Sequence, residues 1–505
     1  MALCKIKSVD GTSIEFIDDI IGSGVMKDVF FSPDKKYVVA FYRDPLDNAG
    51  RERLEMITGL YREKIFNNEQ GEYWKNLFCW PEKIVEYKGK VGVVMPTYQD
   101  HFFFEHGSVN SDFLNIKGKE KQGKWFASAN NQNRFLDDKE KGDWLSYLRI
   151  SLLISRAVRR MHAAGLAHSD LSYKNVLVSP VLGHATIIDV DGLVVPGKYP
   201  PDVVGTPDFI APEVVASGHL SKEDPNKKLP SITTDRHALA VLIYNYLLLR
   251  HPLRGDKVHD LDPQKDEILA MGNNALFIEH PNDLKNRVDP KKAKTSELPW
   301  QDTNKLPYTL TGPYLSALFD KAFVDGLHDP KKRPTADEWE NALIKSIDLI
   351  QPCANKGCKQ KWFIFDNTTI PKCPFCGTPY KGLLPVINFY SERTEGKFIS
   401  DNHRLIVYSN QSLFPWHTSR LIQPNERLSS IHKKRQGYFI FHNKQWYLVN
   451  EGMTGLIDTK TKKSYPVGDK IKLMDGLQLL TGTNKGDRLF HIQMVVVGEI
   501  WVLSH

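Results

Sequence analysis

The chain has 505 residues, 41% of them hydrophobic and 25% charged, with a formal net charge of +7. These proportions exclude a disordered or fibrous chain, and the length calls for about three domains. The lysine clusters (Lys117/Lys119/Lys121/Lys124, Lys291/Lys292/Lys294, Lys433/Lys434/Arg435) are scattered, which argues against a nucleic-acid partner. No run reaches the ~18 apolar residues of a membrane span, and residues 1–7 lack an apolar signal core. A cytoplasmic setting with no membrane is therefore expected. Six cysteines in that setting predict metal or free thiols rather than disulfides.

In chain order, Ile20 to Val29 reads as strand, turn, strand, with Gly22, Ser23 and Gly24 in the turn. Glycine permits the close backbone approach that a phosphate requires. Tyr37 to Tyr42 reads as the next strand of a small sheet. Residues 144–165 predict a helix, with Leu145, Leu148, Leu152, Val158 and Met161 largely on one face and Gly165 as its stop. His168-Ser-Asp170 follows, with Asn175 five residues beyond Asp170. In a phosphotransferase Asp170 would accept the proton of an attacking hydroxyl, and Asn175 would hold a metal ion over the ATP phosphates.

Ala185 to Ile188 reads as a strand ending in Asp189-Val190-Asp191-Gly192. A carboxylate at such a strand end can coordinate magnesium. Next come Gly205-Thr206-Pro207 through Ala211-Pro212-Glu213, then Asp235 ahead of a run, Ala238 to Leu249, that is apolar nearly all round. That helix belongs inside a core, with Asp235 placed to cap it. Thr335 and Glu338 form a capping-box pattern ahead of Trp339, Leu343 and Ile347.

Together these residues resemble the eukaryotic-type protein kinase catalytic domain, over about residues 12–350. The resemblance implies a two-lobed fold and an ATP-dependent activity directed at Ser or Thr. It implies a nucleotide site of Gly22, Ser23, Gly24, Val29 and Ala40, with Met95, Thr97 and Tyr98 in the hinge that receives adenine. It implies Asn175 and Asp189 as Mg ligands, with Asp191 as runner-up or second ligand. It implies Thr206 beside Asp170, Glu213–Arg333 as a buried ion pair, and Asp235 holding the catalytic-loop backbone.

The departures matter as much. The family's strand lysine, which grips the phosphates, is missing: Ala40 stands in its place in one register and Tyr42 in the other. Ala40 is preferred, because truncation to Ala is the usual way to disable such a lysine, by engineering or by natural decay. Its Glu partner is open, with Glu55 preferred over Glu52. Ser169 replaces the family's Arg before the catalytic Asp, and Leu193 to Val204 contains no Ser or Thr, only Tyr199. Activity independent of segment phosphorylation, and intact after Tyr199→Phe, is expected. Lys174 is a candidate for the charge usually two residues after the catalytic Asp, where Ser172 stands.

Cys353-x4-Cys358 and Cys373-x2-Cys376 are separated by 14 residues, a spacing that favours tetrahedral zinc in a closed, structural site. The strand-like run Lys361 to Phe365 between them fits a zinc ribbon. From about residue 388, short β-rich runs separated by turns predict an antiparallel sandwich. The order Leu428-Ser429-Ser430-Ile431-His432, Trp446 to Val449, Gly452-Met453-Thr454-Gly455 and Val467-Gly468-Asp469 resembles a forkhead-associated domain. That likeness implies a phosphothreonine-peptide site using Arg420, Ser429 and Thr454, although Arg420 lacks the usual preceding Gly and Thr454 stands where the family has Asn.

The fold expected is thus multidomain α+β: a protein kinase domain over 1–350, a four-cysteine zinc ribbon over 351–385 and a forkhead-associated-like β-sandwich over 386–505. Domain order and the stretch Asp189 to Gly197 resemble the kinase of bacterial tellurite-resistance-type phosphorylation triads. That resemblance implies a metal-dependent protein phosphatase and a von Willebrand A-type protein as partners. Two functions stay open: an ATP-, Mg- and Zn-containing Ser/Thr kinase acting on partner proteins and on itself, here as a Lys-to-Ala variant, or a pseudokinase scaffold that works through its C-terminal modules.

Overall fold

The computed structural model describes residues 2–23, 26–195, 198 and 205–497; Gly24 and Tyr199 lie outside them. The chain divides into two compact units. The first comprises residues 1–142, 146–308 and 317–340, and the second residues 143–145, 309–316 and 341–505.

The first unit opens with a hairpin, β1 (Leu3–Lys7) and β2 (Ser13–Ile17). An antiparallel five-stranded sheet follows, made of β3 (Ile20–Ser23), β4 (Lys27–Phe31), β5 (Tyr37–Tyr42), β6 (Lys83–Tyr87) and β7 (Lys90–Pro96), in the order β3-β4-β5-β7-β6. The alternation of β5 sorts its side chains between two apolar clusters. Val39 and Phe41 join Ile14, Phe16, Val85 and Val94 on one face. Ala40 and Tyr42 join Leu54, Val91 and Val93 on the other. Leu54 comes from α1 (Asn48–Met56), whose N-terminus is capped by the Asp47 carboxylate accepting the Gly50 amide at 2.7 Å.

α2 (Trp144–Ala163) buries Leu148, Ile154, Val158 and Met161, with Leu152 only half-buried at the flank of that stripe. Gly165 follows at φ +83°, the left-handed geometry that ends a helix. β8 (Val176–Ser179) and β9 (His184–Ile187) form a buried hairpin. After α3 (Pro212–Ala216) comes α4 (Ile232–Leu248), buried from Ala238 onward, as its all-round apolar text requires. The cap of α4 is not Asp235. Ser231 takes that place, its amide donating to the Thr234 hydroxyl at 2.8 Å, because Asp235 sits a turn further in and is engaged elsewhere. At α5 (Ala336–Ile347) the capping box forms: the Thr335 amide donates to Glu338 Oε2 at 2.8 Å, and the Glu338 amide donates to Thr335 Oγ1 at 3.2 Å.

In the second unit β10 (Ile350–Pro352) pairs with β11 (Trp362–Ile364). Two antiparallel sheets follow. The five-stranded sheet has the order β13-β12-β20-β19-β17, from β12 (Gly382–Thr394), β13 (Lys397–Ile406), β17 (Ile457–Asp458), β19 (Gln478–Leu480) and β20 (Arg488–Val497). The four-stranded sheet has the order β14-β15-β16-β18, from β14 (Ser412–Leu413), β15 (Gly437–His442), β16 (Gln445–Asn450) and β18 (Lys470–Lys472). Phe389, Leu405, Phe490 and Ile492 of the first pack with Leu413, Phe439, Leu448 and Ile471 of the second in one apolar core.

β12 starts six residues before the expected onset at 388 and runs through the expected 385/386 boundary. Leu384, Val386 and Ile406 pack with Leu349, Phe363, Cys358 and Cys373, so the cysteine-bearing segment and the sheets share an apolar cluster. The β12–β13 ladder is interrupted twice, between Asn388 and Tyr390 and between Glu392 and Thr394.

Candidate active site

The loop after α2 is held from below by Asp235. Its Oδ2 accepts the His168 amide at 2.7 Å and its Oδ1 the Ser169 amide at 3.1 Å, while His162 Nε2 lies 3.2 Å from Oδ2. Ser169 is left-handed at φ +68°. A strained non-glycine residue is tolerated when its surroundings fix it, and Asp235 supplies that fixing. The bend presents Asp170. The Asn175 amide group donates to the Asp170 carbonyl and to Asp170 Oδ2, both at 2.9 Å. Asp170 Oδ1 accepts the Thr206 amide at 2.7 Å, and the Thr206 hydroxyl donates to Ser172 Oγ at 3.2 Å. Asp170, Asn175 and Thr206 therefore form one hydrogen-bonded group.

His168 Nε2 lies 3.1 Å from the Ile188 carbonyl and ties this loop to the chain leading into Asp189. Asp189 is left-handed at φ +60° and its side chain is 55% exposed. Asp191, two residues on, is buried at 4%. Between them stands Lys27 of β4, its Nζ 2.6 Å from Asp191 Oδ2 and 3.4 Å from Asp189 Oδ1. Burial works against the Lys27 ammonium, but the Asp191 and Asp189 carboxylates prevail and hold its pKa above the ordinary value. Burial likewise opposes the Asp191 carboxylate, and Lys27 prevails and holds it low. The Tyr42 hydroxyl donates to Asp191 as well, and burial, then the Asp191 charge, push the Tyr42 phenol upward.

Lys27 was not singled out in the sequence. It stands directly across the β4–β5 ladder from Tyr42, and Val29 from Ala40. Writing out that register would have put Lys27 beside the second of the two positions considered for the missing cation. Ala40 lies in apolar company, with Tyr42, Leu54, Val91 and Val93, and the polar contact belongs to Tyr42. Glu55 and Glu52 are both exposed, and Glu52 lies 3.6 Å from Lys198. Lys27 has carboxylates of the Asp189–Asp191 turn as its partners instead.

Val29 and Met95 pack against the Ala40 cluster. The Thr97 hydroxyl donates to the Lys35 carbonyl at 3.1 Å, and burial raises the Tyr98 phenol well above its ordinary pKa. Gly22 is in β3 and pairs with Val29 across the β3–β4 ladder; the backbone of Ser23 pairs with Asp28. Lys174 is exposed. Deeper in this unit Arg333 donates bidentately to Glu213, at 2.8 Å and 2.7 Å, and also to the carbonyls of Gly326, Leu327 and Thr233. Every donor of the buried guanidinium fork is thereby used.

In the second unit the sulfurs of Cys353, Cys358, Cys373 and Cys376 all lie within 4.8 Å of one another. Cys353 Sγ is 3.4 Å from Cys376 Sγ, and Cys358 Sγ is 3.9 Å from Cys373 Sγ. Four thiols at these separations fit one tetrahedral zinc ion, so this donor set could hold zinc. Among the described residues, no hydrogen bond joins the side chains of Arg420, Ser429 and Thr454, the three residues of the expected phosphopeptide site. Ser429 is exposed, its hydroxyl accepting the His432 amide at 3.3 Å; Thr454 is exposed; Arg420 lines a separate cleft.

Residues 127–342 match the Protein kinase domain family. The serine/threonine-protein kinase PknD of Chlamydia muridarum is 27% identical over 175 residues, covering 29% of this chain and 17% of that protein. The death-associated protein kinase dapk-1 of Caenorhabditis elegans is 36% identical over 104 residues, covering 20% of this chain and 6% of that protein. The chain thus spans less than a fifth of the length of these relatives. The solved Toxoplasma gondii rhoptry antigen kinase domain is similar over 68% of this chain and 86% of its own, at 13% identity and a TM-score of 0.39. The family match and the kinase relatives support a eukaryotic-type kinase. No helix of the described residues is long and apolar enough to cross a membrane.

Proposed function

We propose that the chain is an ATP-dependent Ser/Thr protein kinase whose phosphate-gripping cation is Lys27, supplied by β4 rather than β5. The observation that carries this is the position of Lys27 Nζ, 2.6 Å from Asp191 and 3.4 Å from Asp189. A buried ammonium at a strand end facing two carboxylates is what a site needs to orient phosphates. Asp170 accepts the proton of the substrate hydroxyl, and its hydrogen bonds from Asn175 and the Thr206 amide aim the carboxylate. Asn175 and Asp189 would hold magnesium, which supplies charge neutralisation over the phosphates. Val29 and Ala40 form the apolar wall for adenine, with Met95, Thr97 and Tyr98 as the hinge. On this reading Ala40 is no disabled lysine, and the pseudokinase alternative loses its main support.

The test is transfer of labelled phosphate from Mg-ATP to the chain itself and to a generic acceptor protein. The unaltered chain should be active. Lys27→Ala should lower the rate about 10²–10³-fold, as loss of a preorganised charge does, and Asp170→Asn by about 10²–10⁴-fold. Ala40→Lys should bring no gain. Silence from the unaltered chain together with activity in Ala40→Lys would restore the truncated-lysine reading.

The four-cysteine site is proposed to hold structural zinc, and the two sheets to dock protein partners, among them the phosphatase and the von Willebrand A-type protein. A closed site of this size draws its folding energy from the metal, on the order of 10 kcal/mol. Chelation should therefore melt the Cys353–Cys376 segment, read as loss of near-ultraviolet signal and release of one zinc per chain; unchanged signal with no zinc released would refute it.

A further inference from the structure

We propose that a cleft of the second unit binds a phosphate monoester dianion at a site built on Arg420 and Lys345. The cleft holds about 310 Å³ and is walled by α5, β12, β13, β20 and the segment around Trp416. Four cationic side chains, Lys345, Arg393, Arg420 and Arg488, line it with one carboxylate, Asp401.

That carboxylate is already shared. Arg393 donates to its Oδ1 at 3.0 Å and Arg488 to its Oδ2 at 2.9 Å, with the Ser391 hydroxyl adding a third donor at 2.6 Å. The Asp348 carboxylate nearby is taken by His403 and His417, at 2.7 Å and 3.2 Å. Arg420 and Lys345 have no carboxylate partner among the described residues. The Nε of Arg420 is buried and has no hydrogen-bond partner, and Lys345 Nζ reaches only the Asn402 carbonyl at 3.4 Å and the face of Tyr314. A buried guanidinium donor left unpaired is costly, so its persistence marks a place where an acceptor from outside belongs.

The site is preorganised. Arg488 donates to the Trp416 carbonyl at 2.8 Å and lies over the Phe389 ring at 4.9 Å. The Arg420 amide donates to the Gly486 carbonyl at 2.9 Å, which sews its loop to the turn before β20. Burial, then Arg488, hold the Lys345 ammonium below its ordinary pKa, as an excess of positive charge demands.

Chemistry selects the ligand class. With one carboxylate against four cations, the cleft carries three surplus positive charges, so a dianion enters it without leaving a net negative charge. Guanidinium forks match tetrahedral phosphate oxygens, and Lys345 adds a point charge. The volume suits one phosphate and the few atoms that carry it. It does not suit a run of nucleic-acid backbone. The site is independent of the kinase reading and of Ser429 and Thr454.

Isothermal titration of the full chain at low salt tests it, with three probes: inorganic phosphate, phenyl phosphate and a phosphothreonine peptide beside its unphosphorylated twin. Phosphate-bearing probes should bind, and added salt should weaken them. Arg420→Ala should weaken binding at least 10-fold and Lys345→Ala about 3–10-fold, the range for a charge-assisted contact. Ser429→Ala should leave the affinity unchanged. A peptide bound much more tightly than phenyl phosphate identifies the source as a phosphorylated side chain, and equal affinities identify a free phosphate ester. Absence of binding by every probe, or affinities indifferent to both Arg420→Ala and Lys345→Ala, would overturn the proposal.

Discussion

The polar clusters of the two units are built with opposite charge balance. Around Lys27 one cation faces two carboxylates, Asp189 and Asp191. Around Asp401 one carboxylate faces four cations, two of which it cannot reach. Each cluster is stable only as far as its internal partners go. The surplus in each names what it would take from outside: a metal cation at the first, an anion at the second. The lesson is that charge left over after every hydrogen bond has been assigned is more informative than the charges that are paired.

Removing the minority charge from each cluster sharpens this contrast. Lys27→Ala strands the buried Asp191 and should cost about 3 kcal/mol by urea denaturation. Adding Asp191→Asn should recover most of that stability while phosphotransfer stays lost; a double variant no more stable than the single one would mean that Lys27 is not the partner of Asp191. The mirror change, Asp401→Asn, leaves Arg488 buried without its counter-charge and should cost about 2 kcal/mol. It should also tighten phosphate binding several-fold and be stabilised by added phosphate more than the parent chain. Stability and affinity both unmoved would break the comparison.

Acidification is the weakest lever. His251 Nε2 lies 2.8 Å from the Asp208 carbonyl while Nδ1 accepts the Leu253 amide at 3.1 Å, so the ring is held neutral. Burial pushes its pKa down to about 4, with Arg254 adding to the effect and the Asp208 and Glu267 charges opposing it. The unfolded ring takes up a proton below its ordinary value near 6.5, so between there and about 4 the unfolded chain binds more protons. Stability should fall as pH drops through that window, by about 2 kcal/mol from this group. His251→Gln should flatten that part of the curve of melting temperature against pH, and an unchanged curve would remove His251 as the cause.

What could be read from the sequence follows from how local each signal is. Asp170 and Asn175 sit in one loop, and Asp189 ends a recognisable strand, so their spacing carried the expectation of a shared site. The apolar text of α4 predicted burial, although its cap went to Ser231, because Asp235 is engaged by the His168 and Ser169 amides. Lys27 escaped notice because its role depends on standing opposite Tyr42, a relation between strands that no run of text displays. Ala40 stands where the resemblance puts the family's strand lysine in one register, and only the placing of its apolar neighbours shows what surrounds it. β12 begins inside the stretch assigned to the zinc ribbon, because Leu383 to Val386 follows the cysteine knuckle directly and only the pairing with distant strands shows where the sheet starts. The cleft was invisible, since Lys345, Arg393, Arg420 and Arg488 meet only through the sheet.

The two interruptions of the β12–β13 ladder have a consequence for association with other chains. β13 is the outermost strand of its sheet, and an outermost strand offers unpaired amides and carbonyls to any passing strand. Bulges at Asn388–Tyr390 and Glu392–Thr394 bend and twist that border, while Lys397 and Arg404 place charge along it. A regular in-register partner fits poorly against such a border, so the β13 side of the sheet resists growth by strand addition.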